Sequence, residues 1–381
     1  MRLLLLTIDF PPARGGVQHL LARLADGLAQ EHDVSVLTHC HPQAREWDRL
    51  RPYRVLRSRV VGVRSLDLVW LGLRALVEIL RLRPDVIICG HVLLGPVCDL
   101  AQRQFRIPYI AMAYAYEVRA PRMRGIAGFT LRRARQVVTI SKFSRQAVMA
   151  YGIPGTRVTV IRPGPGVNGD VDLDPSAPDH SGGSGGRMLL SVSRLADRYK
   201  GHDMVIRALP LIRAKVPDTR YVLVGDGWLR PYLERLAASV GVRDAVTFTG
   251  EVSEAELDAW YRRCDVFILA SRESASGGGS EGFGIVFVEA NLRGKPVIGG
   301  RSGGIPDAVL EGVTGLLVDP LDVGEIADAA VQLLTEPSLA ARLGAQGQQR
   351  AQDELSWRNY VSRFDQVVKS MVGTWDSRGG K

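Results

Sequence analysis

The chain has few cysteines. The four in 381 residues, Cys40, Cys89, Cys98 and Cys264, fall at no metal-ligating or redox spacing. That excludes a disulfide scaffold and a cysteine-based zinc or thiol centre as the organising feature, and they read as small buried apolar residues in a reducing compartment. No apolar run reaches the roughly 18 residues a membrane-crossing helix needs. The opening Met1-Arg2-Leu3-Leu4-Leu5-Leu6-Thr7 carries one positive charge and soon meets Asp9 and Pro11, so it reads as a buried first strand rather than a secretory signal. There is no GxGxxG turn with an acid about 20 residues on and no P-loop, which argues against a nucleotide-cofactor oxidoreductase. The Asp-x-Asp pattern Asp170-Val171-Asp172-Leu173-Asp174 sits in a polar crossover. It reads as a solvated acidic run, so no bound metal is expected.

What the chain has in quantity is apolar content, 46%, over a length that favours two domains rather than one. Its charge is uneven. Residues 1–165 carry 25 Lys/Arg against 11 Asp/Glu, a balance of +14, and the remainder carries 24 against 29, or −5. The first half therefore suits an anionic partner. A nucleic acid is not favoured, because it would leave the acidic second half and the paired glutamates described below without a purpose.

Apolar periodicity predicts strands at 3–6, 34–38, 86–89, 109–111 and 137–140, with helices over 17–30 and 66–82. After a serine- and glycine-rich crossover the alternation restarts. Strands are predicted at 188–192, 220–224, 246–249, 266–269 and 296–299, and helices at 202–215, 231–240, 254–262 and 283–294. The fold class is α/β, with two doubly wound Rossmann-like domains facing across a cleft.

In such folds ligands gather at the carboxyl ends of strands. The first such loop carries Gly15 and Gly16 ahead of a helix, where amides can approach an anion. The loop after 188–192 supplies Arg194 and Lys200, a planar fork and a point charge suited to a diphosphate. Gly225-Asp226-Gly227 and the turn leading to Val252 follow the next two strands. The richest segment is Glu281-Gly282-Phe283-Gly284-Ile285 with Glu289 two turns on. Its glycine amides face the start of a helix, and its two acids, read as nearly one helical face, could take sugar and ribose hydroxyls. Gly303-Gly304-Ile305-Pro306 offers further close backbone contacts.

This ordered set resembles the family-4 retaining glycosyltransferases of GT-B architecture, over nearly the whole chain. The resemblance rests on Gly15-Gly16-Val17-Gln18-His19, Arg194 with Lys200-Gly201, Gly225-Asp226-Gly227, Glu281-Gly282-Phe283-Gly284 with Glu289, and Gly303-Gly304-Ile305-Pro306. It implies an acceptor-binding domain over residues 1–165, a nucleotide-sugar-binding domain over 187–355, and a helix over 356–381 that returns towards the first. It further implies that Arg194 and Lys200 bind the diphosphate, Glu281 the donor sugar and Glu289 the ribose. Gly16 would approach the sugar phosphate, and the Val252 loop the base. Family members often carry a histidine near the transferred sugar, where this chain has Tyr114-Ala115-Tyr116-Glu117. Tyr114, Tyr116 and Glu117 are thus the candidate sugar or acceptor contacts, without an imidazole's charge.

Bacterial phosphatidylinositol mannosyltransferases look most similar, which makes GDP-mannose the leading donor and a lipid-linked or glycan acceptor the leading partner. UDP-glucose or UDP-N-acetylglucosamine with a soluble acceptor is the alternative. No cofactor is expected beyond the donor itself. The apolar segment Leu66–Arg83 and the cluster Arg119, Arg122, Arg124, Arg132, Arg133 and Arg135 suit an anionic membrane surface. The expected location is cytoplasmic, peripheral on the inner face of the cell membrane.

Overall fold

A computed structural model describes residues 1–13, 15–165, 186–274 and 279–376. The acidic pattern at Asp170–Asp174 and most of the serine–glycine crossover lie outside the described residues. The chain divides into two compact units, residues 1–163 with 357–381, and residues 164–356.

The first unit holds a seven-stranded sheet. Its strands are β1 (Arg2–Leu6), β2 (Asp33–His39), β3 (Arg54–Ser58), β4 (Val86–Cys89), β5 (Tyr109–Ala113), β6 (Gln136–Thr139) and β7 (Val158–Val160). They lie in the order β3-β2-β1-β4-β5-β6-β7, and every pairing is parallel. Parallel strands covered by helices are buried on both faces, which explains why Leu3–Leu6 is an unbroken apolar run. The core groups Leu4, Leu6, Ile87, Tyr109 and Val137 from the sheet with Leu71, Ala75 and Ile79 from the helix Arg64–Leu82.

The C-terminal helix Trp357–Asp376 belongs to this unit and packs on the helix Gly16–Leu28. Contact is close enough that a Cβ on Gly27 would overlap Val361. At the end of the same contact, the imidazole of His32 meets Asp365 at 2.7 Å, and Lys369 bridges Asp365 at 2.6 Å and Glu31 at 2.9 Å.

The second unit holds six parallel strands, β8 (Met188–Val192), β9 (Arg220–Val224), β10 (Val246–Gly250), β11 (Val266–Leu269), β12 (Val297–Gly300) and β13 (Gly315–Val318). Their order is β10-β9-β8-β11-β12-β13. The strand order reverses beside β8, so the loops after β8 and β11 flank a topological switch point, where doubly wound folds place ligands. A core of Leu189, Ile206, Leu209, Leu223, Ile268 and Ile298 fixes this sheet against its helices.

Two sequence expectations need correction. The helix expected over 283–294 is Ile285–Leu292, capped by Gly284 at φ 95°, so Glu281 stands outside it and the one-helical-face relation to Glu289 does not exist. Cys89, Cys98 and Cys264 are buried as expected, but Cys40 is exposed. Among the described residues no helix is long and apolar enough to cross a membrane.

Candidate active site

Five loops of the second unit, those after β8, β9, β10, β11 and β12, meet at the carboxyl edge of its sheet. The loop after β8 is pinned to the loop after β9 because the amide of Ser193 donates to the Val224 carbonyl and that of Leu195 to the Asp226 carbonyl, at 3.0 and 2.9 Å. The loop after β9 meets β10 through the Gly225 amide and the Gly250 carbonyl at 2.9 Å. Here glycine is needed: a Cβ on Gly225 would overlap the Ser193 carbonyl. Asp226 is exposed and accepts from the Gly227 amide at 2.7 Å. Val252 lies half-buried just beyond β10.

Lys200 and Glu281, 81 residues apart, are brought together. The ammonium donates to the carboxylate at 2.5 Å, and each side chain is only 16% exposed. Burial alone would make Lys200 easier to deprotonate; Glu281, with Tyr199 and Asp197, outweighs it and raises the pKa above the ordinary lysine value. Lys200 is therefore a fixed cation. Arg194 is different: it is 74% exposed, and its nearest carboxylate, Asp197, stands 3.7 Å away.

The backbone around this pair is tightly held. Gly201 adopts φ 79°, and a Cβ there would run into the Ala270 carbonyl, so the residue after Lys200 has to be glycine. Arg272 forms a bidentate pair with Asp203 at 3.0 and 2.9 Å, and its amide donates to the Tyr199 carbonyl at 2.8 Å. On the other side, the Gly304 amide donates to the Glu281 carbonyl at 2.8 Å. A Cβ on Gly304 would overlap the Gly282 carbonyl. The close backbone contact expected of Gly303-Gly304 is thus made with the Glu281 loop itself.

The amides of Gly282 and Phe283 donate to no protein group among the described residues, and with Gly284 they precede the helix Ile285–Leu292. Unpaired amides beside a helix N-terminus suit an anion. Phe283 is buried and Ile285 is half-buried. Glu289 is buried, with one carboxylate oxygen accepting from the Tyr261 hydroxyl at 2.6 Å. Burial, then that neighbouring carboxylate, pushes the Tyr261 pKa far up.

Sequence reasoning missed Arg272 and His202. The His202 ring bridges Ser193 Oγ at 2.7 Å and the Tyr221 hydroxyl at 3.1 Å. Burial, with Lys200 and Arg272 nearby, lowers its pKa to about 3, so it is a neutral brace beneath the cationic loop. The only sequence signal for either residue was its place just after a strand or a loop glycine.

In the first unit, Gly16 opens the helix Gly16–Leu28, and nothing lies within 4 Å of where a Cβ would stand. Gly15 is its N-cap. Tyr114 and Glu117 turn inward: the Tyr114 hydroxyl donates to the Gly90 carbonyl at 3.2 Å, and its amide donates to Glu117 at 2.5 Å. Burial raises both pKa values. Tyr116 is the exposed member of the three, its ring 5.9 Å from the Arg122 guanidinium.

Two family models cover this architecture, "Glycosyltransferase Family 4" over residues 14–165 and "Glycosyl transferases group 1" over residues 178–350. The GDP-mannose-dependent alpha-(1-6)-phosphatidylinositol monomannoside mannosyltransferase of Mycolicibacterium smegmatis is 34% identical, covering 96% of this chain and 98% of its own. The chain belongs to the family-4 glycosyltransferases. The Mycobacterium tuberculosis mannosyltransferase of the same description is 33% identical, covering 97% of this chain and 98% of its own.

Solved glycosyltransferases share the fold. Sucrose-phosphate synthase from Thermosynechococcus elongatus aligns with a TM-score of 0.78 at 21% identity, over 98% of this chain and 99% of its own. Anabaena HepE in complex with UDP and glucose aligns with a TM-score of 0.80 at 21% identity, over 97% of this chain and all of its own. This glycosyltransferase therefore has the GT-B fold, and the expected two Rossmann-like parallel sheets are the ones observed.

Proposed function

We propose that this glycosyltransferase moves a mannosyl residue from GDP-mannose to a lipid-linked acceptor with retention of anomeric configuration. The observation that carries the reading is the Lys200–Glu281 pair at the sheet's carboxyl edge, on a chain that matches GDP-mannose-dependent relatives along nearly its full length.

In this reading Glu281 accepts from donor-sugar hydroxyls, while Lys200, Arg194 and the amides of Gly282–Gly284 face the diphosphate. As the bond from the anomeric carbon to the phosphate oxygen breaks, negative charge grows on the leaving diphosphate. Lys200, held in place by Glu281, stabilises it without reorganising. The acceptor oxygen attacks from the same face, and the leaving phosphate takes its proton. Glu289 and the Val252 loop are assigned to ribose and base, Gly225, Asp226 and Gly227 to the donor's surroundings, and Gly15 and Gly16 to the sugar phosphate. Tyr116 is assigned to the acceptor.

The acceptor's lipid nature fits one face of the first unit. Leu66, Val69, Trp70, Leu73, Val77 and Leu80 are each 50–58% exposed along the helix Arg64–Leu82, at spacings that place them on one side. With the +14 balance of residues 1–165, that stripe suits peripheral attachment to an anionic bilayer.

Assay with GDP-mannose, UDP-glucose and UDP-N-acetylglucosamine in the presence of EDTA, followed by NMR of the product's anomeric proton, tests the chemistry. An inverted linkage, or activity lost to EDTA and restored by a divalent ion, would overturn the mechanism. Success with a UDP-sugar alone would overturn the donor. Vesicle co-sedimentation tests attachment: binding should favour anionic over neutral lipid and weaken with salt.

A further inference from the structure

A cavity of about 620 Å³ opens at the amino-terminal edge of the first sheet, the edge opposite the strand ends that carry Gly15, Gly16 and Tyr114. Its apolar wall includes Ile79, Leu80, Phe105, Ile107 and Met371, and its cations are Arg2, Arg83 and Arg106. Asp85 occupies Arg2, accepting from the Arg2 amide at 2.7 Å and facing its guanidinium at 3.6 Å. The side chains of Arg83 and Arg106 make no hydrogen bond or ion pair with the described residues.

These two arginines share a second property. Arg83 closes the helix Arg64–Leu82 and Arg106 closes the helix Gly95–Phe105, both in the left-handed region at φ 46° and 57°. They are the two non-glycine residues with positive φ among those described. Glycine would fill such positions freely, whereas a residue with a Cβ is strained there. Attraction of a cation to a helix C-terminus offsets some of that strain. Both exceptions bring a free guanidinium to the same apolar cavity.

Guanidinium forks match phosphate oxygens, but an inorganic phosphate would leave the apolar wall uncovered. A phosphate carrying an acyl chain would use both. Leu80 also ends the exposed stripe described above, so the cavity is continuous with the face assigned to the bilayer. We propose that this cavity binds one anionic phospholipid, its phosphate between Arg83 and Arg106 and its proximal acyl carbons on Ile79, Leu80 and Phe105. The site lies away from the transfer chemistry and anchors the unit to its membrane; it rests on the peripheral-attachment reading.

Isothermal titration of the full chain with dihexanoyl phosphatidylglycerol, below its micelle concentration, tests this directly. One lipid should bind per chain. Dihexanoyl phosphatidylcholine, inorganic phosphate and the double variant Arg83→Gly/Arg106→Gly should each bind at least tenfold more weakly; the left-handed backbone favours the introduced glycines, so the variant keeps its fold. No binding of the anionic lipid, equal binding by the double variant, or equal binding of inorganic phosphate would overturn the proposal. A Leu73→Asp/Val77→Asp variant separates the two readings, since it should lose vesicle sedimentation and keep the titration. If wild-type chain ignores vesicles yet binds the short-chain lipid, bilayer attachment and the anchoring role fall together, and only lipid binding in the cavity stands.

Discussion

The Lys200 ammonium lies 2.5 Å from the Glu281 carboxylate, so the cation assigned to the diphosphate and the acid assigned to the sugar are one electrostatic unit. Each sets the other's place: the carboxylate holds Lys200 charged, and the lysine leaves Glu281 one oxygen for a ligand. Lys200→Met and Glu281→Gln should each lower kcat/KM by roughly 10- to 150-fold, the range for losing a charge-assisted contact worth about 1.5–3 kcal/mol. The double variant should lose less than the product of the two, because the pair acts together. Full activity in both single variants would contradict the site.

Arg194 should behave differently from Lys200. Being mostly exposed and loosely paired, it contributes little to folding, and its replacement should shift stability by no more than about 0.5 kcal/mol. Turnover should nonetheless fall at least tenfold. Unchanged turnover in Arg194→Ala, measured with thermal melting alongside, would remove Arg194 from the diphosphate contact.

Two glycines give a paired test. Gly304→Ala pushes a Cβ into the Gly282 carbonyl, so it should destabilise the second unit by over 1 kcal/mol and displace Glu281. Gly16→Ala meets open space at the start of a helix and should leave the melting temperature unchanged or raise it. If Gly16 presents its backbone to the sugar phosphate, turnover in that variant still falls; full turnover would argue that the open space is not used.

How far the sequence revealed the molecule depended on how local the signal was. Met188–Val192, Arg220–Val224 and Val266–Leu269 are apolar runs with clear ends, and the strands have those bounds. Arg54–Ser58 escaped because it is an edge strand carrying two arginines. Val158–Val160 escaped because three residues carry no period, and Gly315–Val318 because it begins on glycine. The site was legible as a set of strand-end loops, since cations and glycines there have few other uses. Its pairings were not. Nothing local joins Lys200 to Glu281 or Arg272 to Asp203, and nothing in Gly303-Gly304 says that the approaching backbone is the chain's own. Glu289 reads in the sequence as an acid facing the ribose, and nothing local says that its carboxylate is buried and accepts from the Tyr261 hydroxyl.

Tyr114, a candidate sugar contact in the sequence, spends its hydroxyl on the Gly90 carbonyl inside the first unit. Tyr114→Phe should cost about 1 kcal/mol of stability, the value of one buried hydrogen bond, and change turnover by less than threefold. A tenfold fall in turnover without a stability change would return this hydroxyl to the substrate.

His202 makes a prediction about pH. Its pKa is lowered to about 3 in the folded chain by burial, Lys200 and Arg272, against an ordinary value near 6.5 once unfolded. Above about 6.5 both states hold the ring neutral, and it contributes no pH dependence. As pH falls below that value the unfolded chain binds a proton that the folded chain refuses, so stability drops by about 1.4 kcal/mol per pH unit until the folded value is reached. His202→Gln, which keeps a polar partner for Ser193 but cannot titrate, should remove this component. Urea midpoints measured from pH 7 to pH 4 should therefore fall more steeply for wild type than for the variant, with the curves converging towards pH 4. Equal slopes across that range would mean that the ring is not held neutral beneath the cationic loop, and the brace assigned to it would have to be abandoned.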